Sequence, residues 1–405
     1  MWCAGNKSLI EIRKEFVNKE LYVKLRKHLD KQPGGFPKTP SGAEMDILKR
    51  FYTPEQAKIA LKMTNIPEPA VKIAKRLKAD EKKTGESLEK MAKEGLLFRV
   101  PTPEATLYMQ PNFIMGIYEW HVNKVDREIA EYADDVYDGL FEHNWRNRKT
   151  KQLRVVPVDQ SIEHKDMVRG YDMIRDLVRG KGNGPYAVAP CICRVEQLKK
   201  GNEVNRPIDT CLTFGMVARY YIENGIGKEL TEDELMEKLT ECEKASLVPF
   251  GTNSQSIVNM CMCDKDSCQI FRNLRTLEKP AQEVHAAFSA EIDAKLCNGC
   301  KKCTKKCQID AIFATDVQAG KKTKIHEIDP DRCIGCGLCV AVCPEQAISM
   351  QPRDVLPDVP ENALAMNIAM AKERGQLQGF IPFGVVKWLL KLKLGKETAD
   401  KVINM

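Results

Sequence analysis

One segment near the end of the chain contains eight cysteines in two copies of the same pattern, C-x2-C-x2-C-x3-C. These cysteines are, in order, Cys297, Cys300, Cys303, Cys307, Cys333, Cys336, Cys339 and Cys343. An offset of 36 residues maps the first copy onto the second, and the flanking Glu-Ile-Asp of 291–293 recurs at 327–329. A repeat this regular predicts two copies of one folded unit, related by a pseudo-twofold axis.

The cysteine spacing has a chemical reason. A [4Fe-4S] cluster is held by four thiolates, and three cysteines at i, i+3 and i+6 wrap one loop around three corners of its cube. The fourth cysteine of each run serves the other cluster in this pattern. The sequence therefore predicts one cluster on Cys297, Cys300, Cys303 and Cys343, and a second on Cys333, Cys336, Cys339 and Cys307. Structural zinc and disulfides are the competing interpretations, and the specificity of the motif disfavours them.

These motifs resemble the bacterial two-[4Fe-4S] ferredoxin family over residues 289–352, about a sixth of the chain. The resemblance implies a ferredoxin-like fold and one-electron transfer. One departure is Gln308 directly after Cys307, where that family usually has proline. Because residue 308 is not a ligand, we expect the departure to affect solvent access rather than cluster binding.

A second group of cysteines lies in the middle of the chain, in the order C-x-C, C, C-x-C-x4-C. Its members are Cys191, Cys193, Cys211, Cys261, Cys263 and Cys268. We favour a third iron–sulfur cluster here, because the chain already binds two and six ligands exceed what one zinc needs. Structural zinc, which four thiolates would enclose, and a redox-active thiol pair or plain packing stay open. Cys242 falls on the apolar face of a predicted helix, which indicates a core residue.

The composition sets limits on the class of protein. The chain has 405 residues, 43% of them hydrophobic and 29% charged, which suits two to four globular domains. Fourteen of the sixteen cysteines stand at metal-ligand spacings, which predicts a reducing cytoplasm and an anaerobic or micro-aerobic host, not a disulfide scaffold. The beginning of the chain has no apolar signal core, and no apolar run reaches the ~20 residues of a membrane span. A net charge of +7 is too weak to indicate nucleic acid by itself.

The predicted fold class is α+β with several domains. We expect an N-terminal helix (1–39), a winged-helix-like domain (40–112), a helical connector (113–160), an α/β cysteine-rich domain (161–275), the ferredoxin domain (289–352), and a linker with a C-terminal amphipathic helix (353–405). We further expect helices over 68–77 and 119–140. This middle and C-terminal arrangement also resembles, more loosely, multi-cluster ferredoxin-type proteins of anaerobes with a winged-helix-like front, a resemblance that supplies no catalytic residues.

Two segments bear on partners. The candidate recognition helix, residues 82–94, has no Arg, Asn or Gln and its charges nearly cancel, so we expect protein docking rather than specific nucleic-acid binding. Residues 380–395 place Trp388 and leucines among lysines. They would form either an interfacial membrane helix or a helix packed on protein, and we favour the second.

The strongest functional prediction is an electron-transfer protein, as a subunit or dedicated partner of a larger anaerobic oxidoreductase. The alternatives are a redox-sensing winged-helix regulator and a reductase with its active site at 191–268; no catalytic residue is assigned. Four lysines of the first motif, in contrast to apolar residues in the second, predict a cationic docking face for an acidic partner: Lys301, Lys302, Lys305 and Lys306. The other interpretation is that these lysines only neutralise cluster charge and keep the surface soluble.

Overall fold

The computed structural model describes residues 9–146, 148–161, 174–179, 184–315 and 325–377. The chain divides into two compact units, one of residues 122–370 and one of residues 1–121 with 371–405. Both helices and strands are present in each, so the architecture is mixed α/β with several domains. The predicted amphipathic helix at 380–395 lies outside the described residues.

The first unit begins with a long helix and continues with short helices and a small sheet. Its elements are α1 (Leu9–Asp30), α2 (Ala43–Phe51), α3 (Pro54–Ala60), β1 (Glu68–Pro69), α4 (Ala70–Leu77), α5 (Glu81–Lys93), β2 (Phe98–Pro101), β3 (Thr106–Met109) and α6 (Tyr118–Trp120). The three strands form an antiparallel sheet in the order β1-β3-β2. Local signals set the helix starts: Thr53 and Gln56 form a reciprocal capping box at α3, and Asp80 caps α5 by accepting from the Lys83 N–H at 2.9 Å.

The helix expected over 68–77 is shorter than predicted. Glu68 and Pro69 pair with β3 as a third strand, and the helix starts only at Ala70. The buried Glu68 carboxylate then forms ion pairs with Arg76 at 2.7 Å and Lys72 at 2.6 Å on α4. Tertiary pairing therefore overrides the local helical preference at these two positions.

The second unit contains a larger sheet and the ferredoxin motifs. Its elements are α7 (Arg127–Leu140), β4 (Leu153–Val155), α8 (Ile174–Arg179), β5 (Tyr186–Pro190), α9 (Ile192–Lys199), β6 (Asp209–Phe214), α10 (Gly215–Glu223), β7 (Lys228–Leu230), α11 (Glu232–Lys244), β8 (Val248–Thr252), β9 (Asn259–Cys263), α12 (Gln269–Arg275), β10 (Phe288–Ile292), α13 (Lys302–Lys306), β11 (Ile312–Ala314), β12 (His326–Ile328), β13 (Ile348–Pro352) and α14 (Ala363–Glu373), which ends in the first unit. The helix expected over 119–140 is interrupted, because Asp126 caps α7 by accepting from the Ile129 N–H at 2.9 Å.

Six of the described strands form one antiparallel sheet in the order β4-β8-β9-β6-β5-β7. One face packs against α8 and α11, and its core includes Val188, Leu212, Phe214, Leu235, Leu239, Met260 and Met262. Cys242 is fully buried in this cluster, which confirms its prediction as a core residue.

The opposite face of the same sheet presents cysteines. Successive side chains of a strand alternate between faces, so Cys261 and Cys263 of β9 lie away from the Met260 and Met262 side. Phe250 of β8 pairs directly with Cys261 and contacts Phe271 of α12 edge-on at 5.7 Å between ring centroids. This face is therefore covered by α12.

The ferredoxin segment forms two short antiparallel pairs, β10 with β13 and β11 with β12. Equivalent hydrogen bonds recur at the 36-residue offset. The Asp293 N–H donates to Ala347 O at 2.8 Å, and the Asp329 N–H donates to Ala311 O at 2.8 Å. Each copy thus hydrogen-bonds to the other at an equivalent position, as the internal repeat predicts.

Candidate metal centres

Two cavities lie among the ferredoxin cysteines. One is lined by Cys297, Cys300, Cys303 and Cys343. The other is lined by Cys307, Cys333, Cys336 and Cys339. Each cavity therefore combines three cysteines of one copy with the last cysteine of the other.

The surroundings of the sulfurs fit a cluster that binds thiolates. Main-chain N–H groups donate to the sulfurs of Cys307, Cys333 and Cys343, each at 3.3 Å. Burial raises the pKa of Cys336 to about 12 and raises that of Cys339 well above its ordinary value. These thiols therefore ionise only against a group that supplies positive charge, which a [4Fe-4S] cluster does.

The two copies differ in what covers them. Cys300 is exposed, whereas the carbonyl of its equivalent, Cys336, accepts the Val158 N–H at 3.0 Å. Leu296 is 52% exposed, whereas its equivalent, Arg332, donates to main-chain carbonyls beside α12, the nearest at 2.8 Å. The second copy is therefore packed against the domain of the six-stranded sheet, whereas the corresponding surface of the first copy is exposed among the residues that the structure describes.

One pair of equivalent residues shows how close this packing is. Lys301 and Gly337 both have positive φ, at 63° and 76°. A Cβ atom on Gly337 would stand 2.1 Å from the Ser161 hydroxyl oxygen, whereas Lys301 is exposed. Only glycine fits where the sheet domain approaches the motif, because it lacks the Cβ.

We expect Gly337→Ala to lower stability and Lys301→Ala to leave it nearly unchanged. The first change forces Ser161 or the motif to move, at a cost of about 1–3 kcal/mol. The second removes only a surface side chain at the same backbone geometry. Anaerobic thermal unfolding with iron analysis measures both, and equal shifts in the two variants would contradict the close packing at Gly337.

Five of the middle cysteines form a chain of thiol contacts in the structure. Neighbouring thiols hydrogen-bond in the order Cys191, Cys193, Cys268, Cys263, Cys261, and the sulfurs of Cys263 and Cys268 are 3.3 Å apart. Cys191 and Cys268 stand at the N-caps of α9 and α12. Cys211 lies on β6, the strand next to β9, opposite Ala189 of β5.

The thiol contacts lower the pKa of some of these cysteines and raise that of others. The hydrogen bond with Cys193 lowers the pKa of Cys191 to about 7, and bonds with Cys193 and Cys263 hold that of Cys268 well below its ordinary value. The same contacts raise the pKa of Cys193 and Cys263. The contacts thus favour the thiolate form at some of these sulfurs, and thiolate is the form that binds soft metals.

A buried ion pair organises this cysteine group. Arg194 is fully buried, and its Nε and Nη2 donate to Asp264 Oδ2 at 2.9 and 2.7 Å. Nη2 also donates to Met262 O at 2.7 Å, and Nη1 donates to the Thr210 hydroxyl. Asp264 Oδ1 in turn accepts the Ser267 N–H at 2.7 Å. Arg194, on α9, therefore connects this helix to β6, to β9 and to the loop that leads from β9 to α12.

Sequence reasoning missed Arg194 and Asp264, although a signal was present. One C-x-C pair is followed directly by the cation Arg194, and the other is followed directly by the anion Asp264. Buried charges are almost always paired. Opposite charges next to metal-ligand pairs therefore indicate that the two pairs meet.

Two kinds of feature are absent from the described part of the chain. No three His, Cys, Asp or Glu side chains there surround a position for a single metal ion. No described helix has the length and apolar character needed to cross a membrane.

Comparison with known proteins agrees with the ferredoxin motifs. Residues 296–352 match the family model described as a 4Fe-4S dicluster domain. A ferredoxin of Saccharopolyspora erythraea is 33% identical over 86 residues, which cover 73% of its length. The chain belongs to the 4Fe-4S dicluster ferredoxin family. Those 86 residues are 21% of this chain, so the ferredoxin domain lies within a larger protein, and the predicted resemblance is confirmed.

Two further relatives are named as parts of enzyme complexes. A component of the ion-translocating oxidoreductase complex of Methanosarcina acetivorans is 46% identical over 55 residues, which are 14% of this chain and 18% of that component. The pyruvate synthase subunit PorD of Methanothermobacter marburgensis is 36% identical over 64 residues, which are 16% of this chain and 67% of that subunit. No solved structure matches the chain.

Proposed function

We propose that this ferredoxin-family protein is an electron-transfer subunit, or a dedicated partner, of a larger oxidoreductase. The observation that carries the proposal is the pair of cavities, each lined by three cysteines of one copy and one of the other. When bound, [4Fe-4S] clusters supply one-electron carriers. The relatives named as oxidoreductase subunits support the same role.

The ligand sets follow the two cavities. Cys297, Cys300, Cys303 and Cys343 would hold the first cluster, and Cys307, Cys333, Cys336 and Cys339 the second. The protein supplies thiolates, N–H donors to sulfur and different degrees of burial, which are the factors that tune cluster potentials.

A third centre at 191–268 is the second part of the proposal. Five contacting thiols and an adjacent buried Arg194 support a metal bound by thiolates, and we favour iron–sulfur over zinc. Metal and sulfide analysis with EPR on anaerobically purified protein tests the whole proposal. Iron and sulfide beyond the two ferredoxin clusters would support the third centre. Zinc at 191–268 would contradict an iron–sulfur cluster there. A protein without any iron would contradict the electron-transfer function.

We propose a winged-helix-like fold, used for protein contacts, for the region of α2 to β3. The element order supports it, since helices precede a hairpin that a third strand joins. The lysines of α5 are partly paired within the helix, with Lys93 to Glu89 at 3.7 Å and Lys90 to Glu94 at 3.9 Å. Such pairing weakens attraction to phosphate, so no sequence-specific DNA contact is proposed.

The open side of the first copy is the proposed docking face for an acidic redox partner. Lys301, Lys302 and Lys305 are exposed there, near the exposed Leu296. The fourth lysine of the predicted face is used differently: Lys306 Nζ donates to the Ser246 hydroxyl at 2.6 Å and to Lys244 O at 3.2 Å. The docking face is therefore defined as Leu296, Cys300, Lys301, Lys302 and Lys305.

We expect the triple change Lys301, Lys302 and Lys305→Gln to slow oxidation of the reduced protein by hexacyanoferrate(III) about tenfold at low salt, because cationic steering of an anion is lost. Stopped-flow rates against ionic strength measure this, and the variant should also lose most of its salt dependence. A matched control changes the exposed Lys82, Lys83 and Lys90 of α5 to Gln, with the same loss of net charge. Equal rates and salt dependence in the two variants would place the docking face elsewhere.

A further inference from the structure

The two ferredoxin copies differ at the residue that follows the last cysteine. The second copy has Pro344, which is exposed, and the first has Gln308, which is 1% exposed. A buried glutamine amide needs a donor for its oxygen and an acceptor for its NH2 group. The residues that supply them show what this position does.

Gln308 bonds to the loop between β9 and α12. Its Oε1 accepts the Lys265 N–H at 3.0 Å, and its Nε2 donates to Lys306 O at 3.2 Å. Lys265 lies between Cys263 and Cys268 of the middle group. The side chain next to Cys307 thus holds the backbone of the loop that carries two middle cysteines.

The same loop is held on its other side by the buried ion pair. Asp264, the neighbour of Lys265, binds Arg194 and accepts the N–H groups of Asp266 and Ser267 at 3.0 and 2.7 Å. Outer contacts add to the junction: Asp310 pairs with Arg275 at 2.6 Å and with Lys265 Nζ at 3.4 Å. Those ion pairs are partly exposed and contribute little, so the buried amide bond is the more specific contact.

We propose that Gln308 is a positioning residue that couples the second ferredoxin cluster site to the third centre proposed at 191–268, called the six-cysteine site below. The inference rests on the proposed function, since it takes both sites as metal centres. Gln308 follows Cys307 in the chain, and Lys265 is two residues from Cys263. The hydrogen bond between the Gln308 side chain and the Lys265 N–H therefore joins the two cysteines by a short path. A change at either site that moves this loop or the Cys307 turn is therefore felt at the other, which is a coupling between two sites.

The test compares Gln308→Leu, which removes both hydrogen bonds, with Gln308→Glu, which keeps the acceptor for Lys265. Gln351→Leu, on an exposed position of β13, is the matched control. Two quantities are measured on the full metal-loaded chain. They are the hydrogen-exchange rate of the Lys265 amide and the midpoint potential of the six-cysteine site, followed by EPR. We expect Gln308→Leu to speed exchange about tenfold and to shift the potential, with Gln308→Glu restoring much of both.

The outcomes separate this inference from the proposed function. Unchanged exchange and potential in Gln308→Leu would overturn the coupling while leaving the three centres in place. Faster exchange with an unchanged potential would also overturn it, because Gln308 would then only join two domains. Wild-type protein without a metal signal at the six-cysteine site would overturn the third centre and, with it, the coupling.

Discussion

Cys303→Ser is expected to remove the first ferredoxin cluster while the 191–268 site keeps its metal. Cys303 is 8% exposed and lines the first cavity with Cys297, Cys300 and Cys343, so its loss leaves three thiolates for that cluster. The middle cysteines stand on β6, β9, α9 and α12, and their junction with the ferredoxin domain includes Gln308 and Lys265, beside the second cavity. Loss of one site should therefore leave the other intact.

Iron, sulfide and EPR analysis of the anaerobic protein measures this result. Cys242→Ala is the control, since Cys242 is a fully buried thiol within the apolar core and binds no metal in the proposal. It should retain all of its iron at some loss of stability. Loss of all iron in Cys303→Ser would show that the two regions form a single site.

Arg194→Met is expected to be strongly destabilising and to empty the six-cysteine site. The change leaves the Asp264 carboxylate, 1% exposed, without its cation, and breaking such a buried pair costs about 3–5 kcal/mol. It also frees α9 from β6 and from the loop that carries Cys263 and Cys268. Metal binding should fail because the ligands no longer share a fixed geometry.

Arg272→Met provides the comparison for this second prediction. Arg272 pairs with Asp134 at 3.1 Å, but both side chains are partly exposed, so its loss should cost about 0–1 kcal/mol. Thermal unfolding and metal content of both variants, measured anaerobically, give the result. If Arg194→Met were as stable as Arg272→Met and kept its metal, the ion pair would not organise the site.

The grouping of the ferredoxin cysteines around two cavities could be predicted because their geometry is local. A C-x2-C-x2-C loop sets the positions of three sulfurs within seven residues, and the repeat indicates where the fourth comes from. The capping box at Thr53 and the core position of Cys242 follow equally from short-range patterns. In each case the determining contacts lie within a few residues of one another.

The sequence by itself determined the cysteine motifs, their repeat and the electron-transfer family. Only the tertiary structure decided which cysteine loop is covered, because 297–303 and 333–339 share one spacing and the sheet domain packs on the second of them. Lys306, Gln308, Arg194 and Asp264 take their roles from partners 43 to 70 residues away in sequence. Such long-range contacts depend on how the six strands order themselves in the sheet, which no local spacing encodes.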